Sequence, residues 1–279
     1  MKKIIPTLVF IVVLLSGIGF LLYPYISDFI SRQNRQLEIL EYDRSVENLE
    51  EQQIALAWEQ AKAYNEESDH WSVGDVYSGA NSEILPEDYL AVLNISEMMG
   101  YIEIPKIKVN LPIKHGTSDH VLENSVGHLT LSDLPIGGES NHAVLTGHTG
   151  LPSAILFTNL DKLEIGDYFF LNILDEKLAY KVDSMTVVLP SEIDSLKKVD
   201  GEDYVTLITC TPYGINSHRL LVKGTRTELP STEQLIPSET VPQKSHIHYI
   251  LPLLLFLMGV ILLIIGIGLR KRNKGRKRK

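Results

Sequence analysis

The sequence predicts a mostly β protein: a closed or nearly closed β-barrel on a helical N-terminal extension, with a membrane-spanning helix at each end of the chain. Three observations predict this. Two uncharged apolar runs, residues 4–26 and 249–269, are each long enough for a helix to cross a bilayer, which takes roughly 20 residues. A stretch after the first run lacks Gly and Pro and is rich in Glu, Gln, Leu and Ala, a helical composition. From Gly100 the texture changes to short β-rich runs, GYIEIPKIKVNLPI, NHAVLTGH, DYFFLNIL, LAYKVDSMTVVL, YVTLITC and RLLVKGTRTE, broken by Gly, Pro, Asp and Asn.

Taken in order, residues 1–27 form a signal anchor. Lys2 and Lys3 precede the apolar run and set a cytoplasmic N-terminus, and no small-residue cleavage site follows it. Residues 28–94 form a helical extension in which Ile39, Tyr42, Val46, Leu49 and Leu56 recur at spacings of about three to four, one apolar stripe that covers a surface. Within it, residues 68–86 (SDHWSVGDVYSGANSEILP) read as a loop that carries Trp71 and Tyr77, unusual in a mere linker, and PEDYLAVLN gives a short helix. Residues 95–228 hold seven or eight strands. In LAYKVD, apolar Leu178, Tyr180 and Val182 alternate with Lys181 and Asp183, the period of a half-buried strand. Residues 229–246 are a Pro/Ser/Thr-rich linker, 247–269 a second spanning helix, and 270–279 a basic cytoplasmic tail, so both termini are expected inside.

Charge agrees with this division. Removing the ten basic residues at the two ends from the net charge of −9 leaves −19 for the remainder. An acidic exported domain makes a poor nucleic-acid binder, and the tail suits the surface of a membrane. The single cysteine allows no intrachain disulfide, and with scattered histidines it lacks the close spacing of a metal site; no cofactor is expected.

That cysteine, Cys210, ends the apolar run YVTLITC, and TPYGIN must then turn the chain. A lone cysteine is ordinarily a small buried hydrophobe, so its neighbours decide. The chain returns with HRLLVKG, and a hairpin of this length puts Arg219 beside Cys210, where a guanidinium favours a thiolate or holds an oxyanion. A nucleophilic thiol also needs an imidazole. His148 lies between Gly147 and Gly150 at the end of HAVLTGH, and the glycines open space around its ring. His142 starts the same run, so pleat parity cannot separate the two; His128 and His218 remain open, and His246 and His248 adjoin the membrane.

TLITCTPYGINSHRLLVKG, residues 206–224, resembles the signature of the sortases, transpeptidases of Gram-positive surfaces, and specifically of the pilin-polymerising class C group. HAVLTGHTGLPSAILFTNLDKL resembles the family's histidine segment and MGYIEIPKI its opening strand, the likeness covering about residues 95–228. The resemblance implies an eight-stranded sortase barrel, with Cys210 as nucleophile, His148 as acid/base and Arg219 as oxyanion or substrate-positioning group. Thr209 would line the substrate cleft, while Tyr213, Asn216 and His218 are signature positions that shape the loop after Cys210. It further implies cleavage of an LPxTG-like sorting signal between Thr and Gly, and transfer to a lysine of another pilin subunit. Class C members carry a lid with an Asp-Pro-aromatic motif; here the matching region reads Asp75-Val76-Tyr77, without the proline, and Asp75 and Tyr77 are expected to anchor it. Three alternatives stay open: a cysteine peptidase that hydrolyses its target, a housekeeping enzyme that attaches proteins to peptidoglycan, or a wall-anchored substrate. The last is suggested by LPSTE at residues 229–233, ahead of an apolar run and a basic tail, although Glu stands where Gly is expected.

Overall fold

Strand alternation is clearest where the barrel begins. In β1 (Gly100–Ile104) Ile102 and Ile104 are fully buried while Tyr101 and Glu103 are not, the period-2 pattern of a sheet with one apolar face. The computed structural model describes residues 4–67, 85–130, 132–192 and 196–230. Trp71, Asp75 and Tyr77, most of the predicted lid loop and the second apolar run lie outside the described residues.

The remaining strands are β2 (Val109–His115), β3 (Val126–His128), β4 (Asn141–Thr146), β5 (Tyr168–Ile173), β6 (Glu176–Val188), β7 (Asp203–Thr211) and β8 (His218–Thr227). They close into a barrel in the order β1-β2-β3-β4-β7-β8-β6-β5. The pairs β2·β3 and β4·β7 are parallel and the others antiparallel. LAYKVD behaves as its alternation predicts, with Leu178, Tyr180 and Val182 inside. YVTLITC shows no alternation because β7 is buried on both faces, as strands of parallel pairs are. Val205 and Leu207 enter the main core, and Ile208 enters a smaller outer cluster with Leu129, Val144, Leu196 and Leu221.

The helices are α1 (Ile4–Glu47), α2 (Glu51–Glu67), α3 (Glu87–Ala91) and α4 (Asp119–Leu122). α1 is long and apolar enough to cross a membrane and continues unbroken into the extension. Ile39, Tyr42 and Val46 are buried as the stripe predicts, against Met98. Leu56, in contrast, is 53% exposed. The reason is a break after Glu47: α2 starts a new helical phase and buries Ala61 and Asn65 instead. Two buried tyrosines lock helices to strands. Tyr42 donates its hydroxyl to the Met99 carbonyl (3.1 Å) and accepts from Leu174 N–H (2.8 Å). Tyr89 of α3 accepts from Gly116 N–H (3.1 Å).

Candidate active site

Two paired strands, and the segment that leaves a third, bring the three predicted groups to one end of the barrel. Cys210 is next to last in β7, and the antiparallel register pairs it directly with Arg219 of β8. On the other side of β7, the parallel register with β4 runs to Thr146 opposite Ile208. The register ends there, and His148 follows two residues beyond the end of β4. Two bonds hold the chain there: Gly147 N–H donates to the Ile208 carbonyl (3.1 Å), and the Thr209 hydroxyl donates to the Gly147 carbonyl (2.7 Å).

Pleat alternation gives the face of the two strand residues. Ile208 and Leu221 enter the smaller cluster, and Cys210 and Arg219 lie two residues from them along β7 and β8, so both fall on that same face. His148, past the end of β4, lies beside Gly147. Cys210 and His148 are half-buried and Arg219 is 6% exposed, so the sulfur is neither sealed inside nor freely solvated. The Arg219 guanidinium is oriented by the turn it borders, its Nη1 donating to the carbonyls of Asn216 (3.2 Å) and His218 (3.1 Å). Burial holds the His148 imidazole below its usual pKa, and the Asp119 carboxylate at the start of α4 offsets this in part.

The glycines beside His148 have more specific roles than opening space. A Cβ at Gly147 would lie 2.9 Å from the ring of Phe157, a fully buried residue, so Gly147 permits close packing on that ring. Gly150 has φ +76°, a left-handed conformation that L side chains rarely adopt, and a Cβ there would meet the Tyr213 ring at 3.2 Å. Tyr213, 70% exposed, thus extends the loop after Cys210 across to the histidine segment. Asn216 adopts φ +59° and its N–H donates to Pro212 O (2.9 Å), closing that loop. Thr209 is 3% exposed with its hydroxyl on Gly147; as placed, it ties β7 to the histidine segment rather than facing a cleft.

Two of the competing histidines sit elsewhere, and His218 pairs with Thr211 beside Cys210. His142 pairs with Tyr204 in the β4·β7 register, six residues and roughly 20 Å along β7 from Cys210. Its ring lies between the Thr206 hydroxyl (2.8 Å) and the Lys197 carbonyl (3.1 Å). His128 is wholly buried between the Tyr89 hydroxyl and the Asp133 carbonyl, each at 2.8 Å. His218 is adjacent to Arg219, its Nδ1 bonded to the Ser217 hydroxyl (2.8 Å). Reading the sequence did not single out Phe157, which lies within the histidine segment, or Asp119, which belongs to no local pattern; only tertiary structure sets the Phe157 ring against Gly147 and the Asp119 charge where it acts on His148.

A thiol paired across strands with an arginine, with a histidine-bearing segment bonded to the same strand, supplies the groups that can attack a carbonyl and stabilise the resulting oxyanion. A family model described as a sortase domain matches residues 102–227. The chain is similar to sortase C-1 of Streptococcus pneumoniae, with 44% identity and a TM-score of 0.67 over 70% of this chain and 100% of that one. It is likewise similar to a pilus-related sortase C of Group B Streptococcus, with 41% identity and a TM-score of 0.64 over 67% of this chain and 96% of that one. Sortase A of Bacillus anthracis is 30% identical over 48% of this chain, a stretch that takes in 62% of that protein's length.

Proposed function

The chain belongs to the sortase family, and to its class C branch, and from that premise we propose that it is a membrane-anchored cysteine transpeptidase that polymerises pilins. The observation that carries the reading is the direct pairing of Cys210 with Arg219 across β7 and β8, together with the bonds from Gly147, next to His148, to Ile208 and Thr209 of β7. The Cys210 thiolate attacks the Thr carbonyl carbon of an LPxTG-like sorting signal. Arg219, its guanidinium oriented by backbone carbonyls, stabilises the oxyanion of the tetrahedral intermediate. As the intermediate collapses, protonated His148 gives its proton to the departing Gly amine, leaving a thioester on Cys210 and a neutral imidazole. A lysine amine of another pilin then attacks the thioester carbonyl, its proton passes to His148, and an isopeptide bond forms as the thiolate departs. A thioester suits transfer because amines attack it readily.

Pilin as substrate is favoured by the pilus-related enzyme among the similar structures, by the helical extension and by the candidate lid. Both termini are placed in the cytoplasm and the barrel outside, on the positive-inside rule. The roles of Asp75 and Tyr77 as lid anchors belong to the same proposal: Asp75→Ala/Tyr77→Ala raises the alkylation rate of Cys210, and an unchanged rate refutes the plug. The deciding experiment incubates the full chain with a sorting-signal peptide and analyses it by mass spectrometry. An adduct on Cys210 of the peptide's mass less its Gly-containing leaving fragment is expected, and is absent from Cys210→Ala. Lysine-bearing pilin should resolve it to an isopeptide product. A product formed only with a cell-wall peptide would point to the housekeeping role, and loss of the chain's own C-terminus after Thr232 to the wall-anchored substrate.

A further inference from the structure

The segment from His148 to Phe157 is a loop tied at its base and again at its rim. At the base, Phe157 N–H donates to the His148 carbonyl (3.1 Å) and Gly150 N–H to the Thr158 hydroxyl (3.1 Å). At the rim, two side chains of α1 reach across: the Ser31 hydroxyl donates to the Ser153 carbonyl (3.1 Å), and Asp28 Oδ1 accepts from Ile155 N–H (2.8 Å). Arg32, one turn further along α1, donates Nε–H to the other Asp28 oxygen (2.8 Å). One carboxylate oxygen thus serves the helix and the other the loop. Asp28 and Ser31 share the face of α1 that continues to buried Arg35, Ile39 and Tyr42, the face packed on the barrel. Asp28 also follows the apolar run by only two residues.

We propose that Asp28 and Ser31 are positioning residues for His148, so that the first turns of α1 beyond its membrane-spanning run form part of the scaffold of the active site. The proposal rests on the reading of His148 as the acid/base. A loop held only at its base can pivot at the rim and turn the residue at its root, and misplacement of a reacting group by about 1 Å can cost on the order of a hundredfold in rate. A charged hydrogen bond from a half-buried carboxylate is among the stronger ties available to such a rim.

The test uses the full chain in lipid nanodiscs, comparing Asp28→Ala/Ser31→Ala with Asp28→Asn, whose side-chain oxygen still accepts from Ile155 N–H. Thioester formation on Cys210 is followed across peptide concentrations, with amide exchange of residues 149–157 measured in parallel. The double variant should acylate about tenfold more slowly at saturating peptide with KM within about twofold, and exchange faster in the loop but not in β4 or β7. Asp28→Asn should stay within about threefold of the parent rate. Unchanged exchange, an unchanged rate, or an Asp28→Asn as slow as the double variant overturns the proposal. Failure of the parent chain to form any thioester would instead overturn the transpeptidase reading, and this proposal with it, and is told apart because it appears before any substitution is made.

Discussion

Gly147→Ala tests the packing under the histidine most directly. The added methyl would sit 2.9 Å from one Phe157 ring carbon and 3.0 Å from another, whereas carbon atoms normally meet at about 3.5 Å or more. Some atom must therefore move by roughly 0.6 Å. Phe157 is fully buried in the main core with Leu156 and Leu160, so the ring has little room to retreat, and the strain falls on the backbone of residue 147 and on His148 next to it. Overpacking of this size costs about 1–3 kcal/mol, or a fall in Tm of roughly 2–10 °C for a domain of this length. The displacement of His148 should lower the acylation rate by on the order of tenfold. Thermal unfolding and single-turnover thioester formation measure the two effects. Adding Phe157→Leu should return much of the rate by making room, a coupling of about 0.5–3 kcal/mol in a double-mutant cycle. The reasoning fails if Gly147→Ala keeps the parent Tm and rate, or if its loss is simply added to that of Phe157→Leu.

Three further predictions concern charge. Arg219→Lys keeps the charge but not the planar fork that rests on Asn216 and His218, so acylation should drop by about 10²–10³ while thiol alkylation of Cys210 persists; a fall of less than about threefold would remove the oxyanion role. His148, followed by NMR, should titrate below the usual value of about 6.5, and Asp119→Asn should move it lower still, since the carboxylate favours the protonated ring; an upward move contradicts that assignment. Burial also lowers the pKa of His142, so the unfolded chain binds more protons than the folded one once the pH drops below about 6.5. Its contribution to stability is whole above that pH and is lost as the pH falls towards the folded-state value; urea unfolding of His142→Gln should show a flatter acid limb than the parent, and an identical slope would refute it.

Two of the candidate groups were legible because they lie in one continuous signature. Cys210 and Arg219 lie nine positions apart across one hairpin, so the turn alone brings them together. His148 against His142 was less so. The sequence puts both in one run, HAVLTGH, and only the parallel register with β7, a long-range feature, puts His142 opposite Tyr204, far along β7 from Cys210, and ends β4 before His148. Thr209 looked like a cleft residue because it adjoins the nucleophile; the pleat turns it the other way, onto Gly147. The stripe on the extension was right for Ile39, Tyr42 and Val46 and failed at Leu56, where a break between helices resets the phase.

By itself, then, the sequence determined the local quantities: apolar run length, strand alternation and the turn after Cys210, each set by chemistry within a few residues. Tertiary structure decided what depends on contacts between distant segments. These are the strand order that seats β7 between β4 and β8, the Phe157 ring beneath Gly147, the Asp119 carboxylate that acts on His148, and the reach of Asp28 across 127 positions to Ile155. Such contacts form only when the barrel closes, because the free energy that orders them comes from burying a shared core, to which no single segment contributes enough alone.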